Sequence, residues 1–341
     1  MTLRITTTVD PAEWDAQVEA LGAPVFHSTV WARYSTDGKP NLEPLFCSIL
    51  DDDAKVRGVA LLFRQGSANP FLRRVGSRVY SDAHPWVDDA ALFPDFVRQI
   101  EEHAGGSGAL ELTLGSFGTP GHRDEIEQLG YQLKDRYEFV LPLRRTDEEI
   151  LSAMERRRRR TLQKARDAGV TIEILQFEEG IPELRRLQQF TKERLEQRGA
   201  IVDFGTVRPP EQDAARELVN AGRADLVGAR HDGRLVSVSL YTKMSGLVYS
   251  TLAGHAPEAY QLNAYTLLLW TVLRRYREEG HQRLNIGGVP AAAAEETSPD
   301  HGLYLYKAGM GGAQEACSTG SKILKPARHK AIERARALLR R

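Results

Sequence analysis

The residues best suited to chemistry lie in two segments of the C-terminal half. Gly302-Leu303-Tyr304-Leu305-Tyr306-Lys307-Ala308-Gly309-Met310-Gly311-Gly312 sets one lysine among aromatics and glycines. Its alternation predicts a strand, with Tyr304 and Tyr306 on one face and Leu305 and Lys307 on the other. The glycines that follow allow a tight turn and close approach of the backbone. Arg156 to Gly169 holds seven basic side chains against one acid. Such a run suits a polyanion such as RNA, nucleotide phosphates or an anionic lipid surface; a solvated helix face competes. Leu151, Met154, Leu162 and Ala165 define an apolar helical stripe whose missing position is Arg158. Arg158 therefore faces the protein and needs an anion, either a structural carboxylate or a ligand phosphate. Arg156, Arg157, Arg159, Arg160 and Lys164 spread over the rest of that helix. Asp82, near His84 in the unpatterned stretch Gly76 to Asp89, could accept a proton or position an amine; a capping or turn role competes.

These side chains must be held by a repeated unit. The strand-like run Val56 to Phe63 is followed 54 residues later by Leu110 to Gly115, and Gly233 to Tyr241 about 50 residues later by Arg283 to Gly288. In each half a helical stretch ending in glycine precedes the second strand, Phe93 to Gly105 and Leu267 to Gly280. The expectation is an α/β (α+β) fold of two tandem lobes, 1–145 and 146–341, each a mixed sheet flanked by helices, with a ligand cleft between them. Further helices are expected at Pro11 to Ala20, after Ser28 or Thr29 as N-cap, at His122 to Leu129, Asp147 to Ala168, Pro182 to Arg198 and Pro210 to Ala221. Phe46 to Leu50 and Val56 to Phe63 read as a hairpin turning at Asp51-Asp52-Asp53, and Ala224 to Ala229, Leu235 to Thr242 and Leu247 to Thr251 as strands. No low-complexity linker separates the lobes.

The composition, 41 % hydrophobic and 27 % charged over 341 residues, is that of a soluble globular chain. No apolar run approaches the ~20 residues of a spanning helix, and the N-terminus has no signal core. Cys47 and Cys317 make neither a disulfide framework nor a metal site, and a reducing cytoplasm is expected. No metal is expected. Zero net charge conceals an asymmetry: residues 1–145 carry 15 Lys and Arg against 21 Asp and Glu, leaving 31 against 25 for the remainder. A second basic run, Gly320 to Arg341, includes Arg328, Lys330, Arg334, Arg336, Arg340 and Arg341.

Taken jointly, several segments resemble the Fem family of aminoacyl-tRNA-dependent peptidyltransferases, within the GNAT-like acyltransferase superfamily. Met154 to Val170 is similar to the basic helix opening that family's second lobe. Asn263-Ala264-Tyr265 through Trp270, then Gly280 and Asn285-Ile286-Gly287-Gly288, resembles its helix and strand before the active-site turn. Tyr306-Lys307-Ala308-Gly309-Met310-Gly311-Gly312 resembles that turn, with Met310 where an aromatic is usual, and Phe26-His27-Ser28 with Trp31 resembles the start of its first lobe. The long helical hairpin of some members is missing. So is the Arg/Gln-x-x-Gly-x-Gly/Ala loop with which acetyl-CoA enzymes hold pyrophosphate; Arg74 to Val79 and Arg277 to Gln282 fail its pattern.

The resemblance implies two GNAT-like lobes and transfer of an amino acid from aminoacyl-tRNA, as co-substrate and without a cofactor, to an amine. That amine would belong to a peptidoglycan precursor, as in cell-wall cross-bridge synthesis, or to a small peptide. Lys307 would face the oxygen on which charge builds, and Asp82 would accept the proton or position the amine. Trp31, Arg33, His84, Tyr265, Tyr304, Tyr306 and Arg158 would bind substrates, with Arg33 on an acceptor phosphate and Tyr306 on the terminal adenosine or the acyl group. Arg156, Arg157, Arg159, Arg160 and Lys164 would hold tRNA phosphates, and the C-terminal helix could do likewise or touch anionic lipid. An acyl-CoA-dependent N-acyltransferase of the same fold, and a non-catalytic RNA-binding protein, are the competing expectations.

Overall fold

The computed structural model describes residues 1–66, 76–196 and 213–331. The chain forms two compact units, one of residues 1–136 with 316–341, the other of residues 137–315. The division expected at 145/146 thus falls nine residues earlier, and the C-terminal segment assigned to the second lobe belongs to the first. Both shifts have one cause: the long strands β7 (Gln132–Pro142) and β13 (Ala313–Ile323) each run from one unit into the other.

In the first unit Asp10 caps α1 (Pro11–Ala20) by accepting from Glu13 N, and Ser28 caps α2 (Thr29–Thr36) by accepting from Trp31 N. β1 (Thr2–Thr6), β2 (Leu42–Leu50) and β3 (Val56–Gln65) pair antiparallel in sequence, and β3 pairs antiparallel with β4 (Arg78–Ser81). α3 (Phe93–Gly106) then crosses over to β6 (Glu111–Leu114), which lies parallel to β4. The stretch expected to be irregular therefore holds two short strands, β4 and β5 (Trp86–Val87); four residues and two are too few to register a period. α3 buries Phe93, Phe96, Val97, Ile100 and Ala104 against Leu62, Val79, Leu112 and Leu114. α4 (Arg123–Gln128) and the second part of β13, antiparallel to β6, complete the unit.

The second unit repeats the plan. β8 (Thr171–Leu175), β9 (Ala224–His231), β10 (Arg234–Met244) and β11 (Leu247–His255) form antiparallel pairs in sequence. α10 (Ala264–Glu278) crosses over to β12 (Arg283–Pro290), parallel to β11. The antiparallel pair followed by a β-α-β crossover is thus the duplicated element, β3-β4-α3-β6 and β10-β11-α10-β12. α10 buries nine side chains, among them Leu268, Leu269, Val272 and Tyr276. α7 (Phe177–Glu196) begins five residues before the expected start and carries Pro182 inside it; Ile181, Leu184 and Leu187, all buried, hold it to the sheet. α8 (Ala215–Asn220) covers the described part of the helix expected from Pro210, whose start lies outside the described residues. α9 (Pro257–Gln261) precedes α10.

Two expectations fail here. The helix expected over Asp147 to Ala168 is two, α5 (Asp147–Ala153) and α6 (Arg156–Asp167), because Met154 and Glu155 are extended with ψ of 141° and 143°. The stretch around Lys307 is a helix, α11 (His301–Ala308), not a strand. Four consecutive apolar residues fit either period. In the helix Leu303 and Leu305 face solvent while Lys307 turns inward.

Candidate functional site

The paired crossovers end differently. In the first unit β4 and β6 stay bonded past their ends: Gly115 N donates to Ser81 O at 2.9 Å and Phe117 N to Asp82 O at 3.0 Å. Gly115 makes this possible, since a Cβ there would stand 2.4 Å from Asp82 O. In the second unit β11 and β12 are in register only over Leu247–Tyr249 and Arg283–Asn285, although β11 runs on to His255 and β12 to Pro290. Strands that part expose main-chain donors and acceptors of the kind that bind an amide-bearing ligand.

Lys307 stands where they part. It is 9 % exposed, and its Nζ donates to Gly288 O at 3.2 Å. Gly287 has φ +76°, and a Cβ built on it would lie 3.2 Å from Lys307 Nζ and 3.7 Å from Ser250 O. The glycine pair of β12 is thus the cradle of the ammonium: a side chain at 287 would be strained and would crowd it. A buried ammonium costs free energy unless an acceptor or an anion meets it.

An aromatic wall stands beside the lysine. Tyr306 packs on Tyr265 with ring centroids 5.8 Å apart, and Tyr265 on His255 at 4.8 Å. The Tyr306 hydroxyl is 3.2 Å from Thr266 Oγ1, and burial raises the pKa of both tyrosines. Arg158 does turn inward, and its guanidinium lies 4.6 Å over the Tyr306 ring, a cation–π contact. Its Nη2 also reaches Leu305 O at 3.5 Å, and burial foremost lowers its pKa. No carboxylate holds it within salt-bridge distance among the described residues. Tyr304 packs against Phe139 and donates its hydroxyl to Gln314 Oε1 at 3.0 Å, a structural placement.

The α6 cations divide. Arg156, Arg157, Arg160 and Lys164 are exposed. Arg159 closes α5, its Nη1 donating to Leu151 O and Met154 O at 2.8 Å each. Arg159 is exposed as well, so this capping role stands beside its expected place on RNA. Arg334, Arg336, Arg340, Arg341 and Arg74 lie outside the described residues.

In the first unit Trp31 Nε1 donates to Asp82 Oδ2 at 2.8 Å, so two of the expected residues do meet. Burial raises the Asp82 pKa, opposed by that bond and by Lys39. His84 is fully buried, with Nε2 2.8 Å from Ser318 O and its main-chain N donating to Thr119 Oγ1. Burial lowers its pKa to about 4, so it is a neutral core histidine and not the substrate contact expected. Arg33 is exposed on α2.

Sequence reasoning missed three residues at the strand parting. Glu138 on β7 is 0 % exposed and accepts from Tyr249 Oη at 2.8 Å and Asn285 Nδ2 at 2.6 Å. The signal was available: a lone acid stands beside the buried run Phe139-Val140-Leu141, and a buried carboxylate needs donors.

Comparison with known proteins agrees with this architecture. Residues 152–307, all within the second unit, match the acetyltransferase (GNAT) domain family. A crystal structure of FemX matches over 98 % of this chain and 100 % of that one, with TM-score 0.75 at 16 % identity. The chain has the fold of that structure. Two further solved structures share the architecture. L-PGS from Bacillus licheniformis matches over 97 % of both chains at TM-score 0.57 and 15 % identity. A tandem GNAT protein from the clavulanic acid biosynthesis pathway matches over 95 % of this chain and 99 % of its own, at 0.51 and 14 %. At these identities the likeness concerns the fold alone. No curated protein matches the sequence. No described helix is long and apolar enough to cross a membrane.

Proposed function

We propose that this chain is an aminoacyltransferase that moves an amino acid from aminoacyl-tRNA to an amine, forming an amide. The acceptor class is a peptidoglycan precursor or a small peptide, and the cytoplasm, where charged tRNA resides, is the compartment. The observation that carries this reading is the buried Lys307 ammonium at the parting of β11 and β12. Attack of an amine on an ester carbonyl puts negative charge on the carbonyl oxygen, and a preformed cation there is worth ~3–4 kcal/mol, or about 100- to 1,000-fold in rate. Tyr306 and Tyr265, with the Arg158 guanidinium over the Tyr306 ring, supply aromatic surface beside a cation, suited to a nucleobase or acyl group. Arg156, Arg157, Arg160 and Lys164 supply exposed charge for RNA phosphates. Asp82 with Trp31 is a proposed amine-positioning pair, and Arg33 a proposed phosphate contact.

The test is incubation with charged total tRNA and candidate acceptors, read by product mass. A product heavier than the acceptor by one aminoacyl residue supports the reading, and none with any acceptor refutes it. An acyl-CoA-dependent N-acyltransferase is the second reading, favoured by the match to an acetyltransferase family; release of free thiol from acyl-CoA identifies it. A non-catalytic RNA-binding role predicts that Lys307→Ala leaves RNA affinity unchanged and no turnover to lose.

A further inference from the structure

Amide formation from an amine and an ester moves a proton as well as an acyl group, and Lys307, a donor, cannot accept it. The side chains of the last registered pair of β11 and β12 are arranged to do so. Tyr249 and Asn285 face one another across that pair, and both donate to Glu138, one to each oxygen. An ionised carboxylate, an acceptor at both oxygens, satisfies this pattern. Asn285 is fixed in turn: its Oδ1 accepts from Gly287 N at 2.8 Å, in the strand segment that cradles Lys307. Glu138 is fully buried, whereas Tyr249 is half-buried. A carboxylate sealed from solvent behind a hydroxyl that reaches toward it has the layout of a two-step proton path.

Resting on the function proposed above, we propose that Tyr249 is a catalytic residue and Glu138 its positioning partner, together relaying the proton of the attacking amine. In the first step the amine nitrogen bonds to the ester carbonyl carbon and the carbonyl π electrons move to oxygen. The N–H proton passes to Tyr249 Oη while the Tyr249 proton passes to Glu138 Oε1. When the intermediate collapses, the C–O bond to the ribose breaks. The proton then returns from Glu138 through Tyr249 to the departing ribose oxygen, so no net proton is gained or lost. Burial raises the pKa of Glu315, with the Glu138 charge adding to the rise and Arg283 opposing it. Among the described residues of the second unit, the charged groups around the relay thus include Glu315 and Arg283, a salt-bridged pair.

The experiment is single-turnover transfer in H2O/D2O mixtures by wild type, Tyr249→Phe and Glu138→Gln. Expected are losses of about 100-fold or more in each variant at unchanged acceptor KM. The proton inventory is expected to be curved for wild type and linear for the variants. A purely structural role would lower Tm and leave the inventory curved. Glu138→Gln removes a buried charge that two donors share and could misfold, but Tyr249→Phe keeps the Asn285–Glu138 bond and carries the test. Wild-type transfer from tRNA, matched within threefold by folded Tyr249→Phe, overturns the relay alone. If wild type accepts only acyl-CoA, the donor reading falls and the same comparison on the thioester decides the relay. Inertness with both donors overturns both.

Discussion

Replacing Lys307 by Met separates the cost of the ammonium from the benefit it brings. The thioether keeps most of the buried stem, so apolar packing around β12 changes little. What is lost is the donation to Gly288 O, about 1.5–3 kcal/mol for a charged donor. What is gained is relief from holding an ammonium at 9 % exposure, a penalty of comparable size. The two nearly cancel, so the net change in folding free energy is expected below ~1.5 kcal/mol. At ~2–4 °C per kcal/mol for a domain of this size, Tm moves by less than about 6 °C. No such cancellation operates in the transition state, where the developing oxyanion loses its cation and transfer falls about 100- to 1,000-fold. Calorimetry and single-turnover transfer on one preparation read both numbers. A Met variant that transfers within threefold of wild type would refute the assignment, as would a loss that only parallels unfolding.

Three further outcomes follow from particular side chains. Burial raises the folded-state pKa of Asp82, so its charge destabilises the fold as pH rises past the ordinary value of 3.8; Asp82→Asn is expected to raise Tm at pH 7 and to lose that advantage below about pH 3.8. Burial lowers His27 to about 3 and His84 to about 4, from 6.5, so the unfolded chain binds their protons first. Unfolding free energy should fall, as pH drops below 6.5, by ~1.4 kcal/mol per unit for each histidine, until about pH 4 for His84; denaturant titrations at several pH values measure it, and His84→Gln should flatten the slope. On α6, Arg157→Ala should reduce the log–log salt dependence of RNA binding by about one, with little change in Tm. Arg159→Ala should also lower Tm, uncapping α5 at ~1 kcal/mol.

The duplication was legible because its helices are long and β3, β10 and β12 carry continuous buried runs, although β4, which opens the first crossover, was too short to read. Phe93 to Gly105 and Leu267 to Gly280 each present a strong 3.6-residue stripe, and α1 and α2 announce themselves through Asp10-Pro11 and Ser28. What failed was short or tertiary. Leu303 to Tyr306 is uniformly apolar, so only packing decides its period. Met154 and Glu155 break a helix through backbone angles that no helix breaker signals. At the site, Lys307 and the inward direction of Arg158 could be approached from neighbours in sequence, but the Arg158–Tyr306 contact could not. Glu138 could not be joined to Asn285 without knowing that their strands converge, 147 residues apart.

The return of β13 to the first unit has a consequence for synthesis. The second unit is one continuous stretch and can close as soon as residue 315 has cleared the ribosome. The first unit, begun much earlier, must wait for its last strand: until Gly320–Ile323 arrive, β6 has an open edge at Glu111–Leu114 and His84 lacks the Ser318 carbonyl. The nascent N-terminal portion is therefore the part that a chaperone would have to shield, and cutting the gene into consecutive halves would leave neither product with a complete first unit.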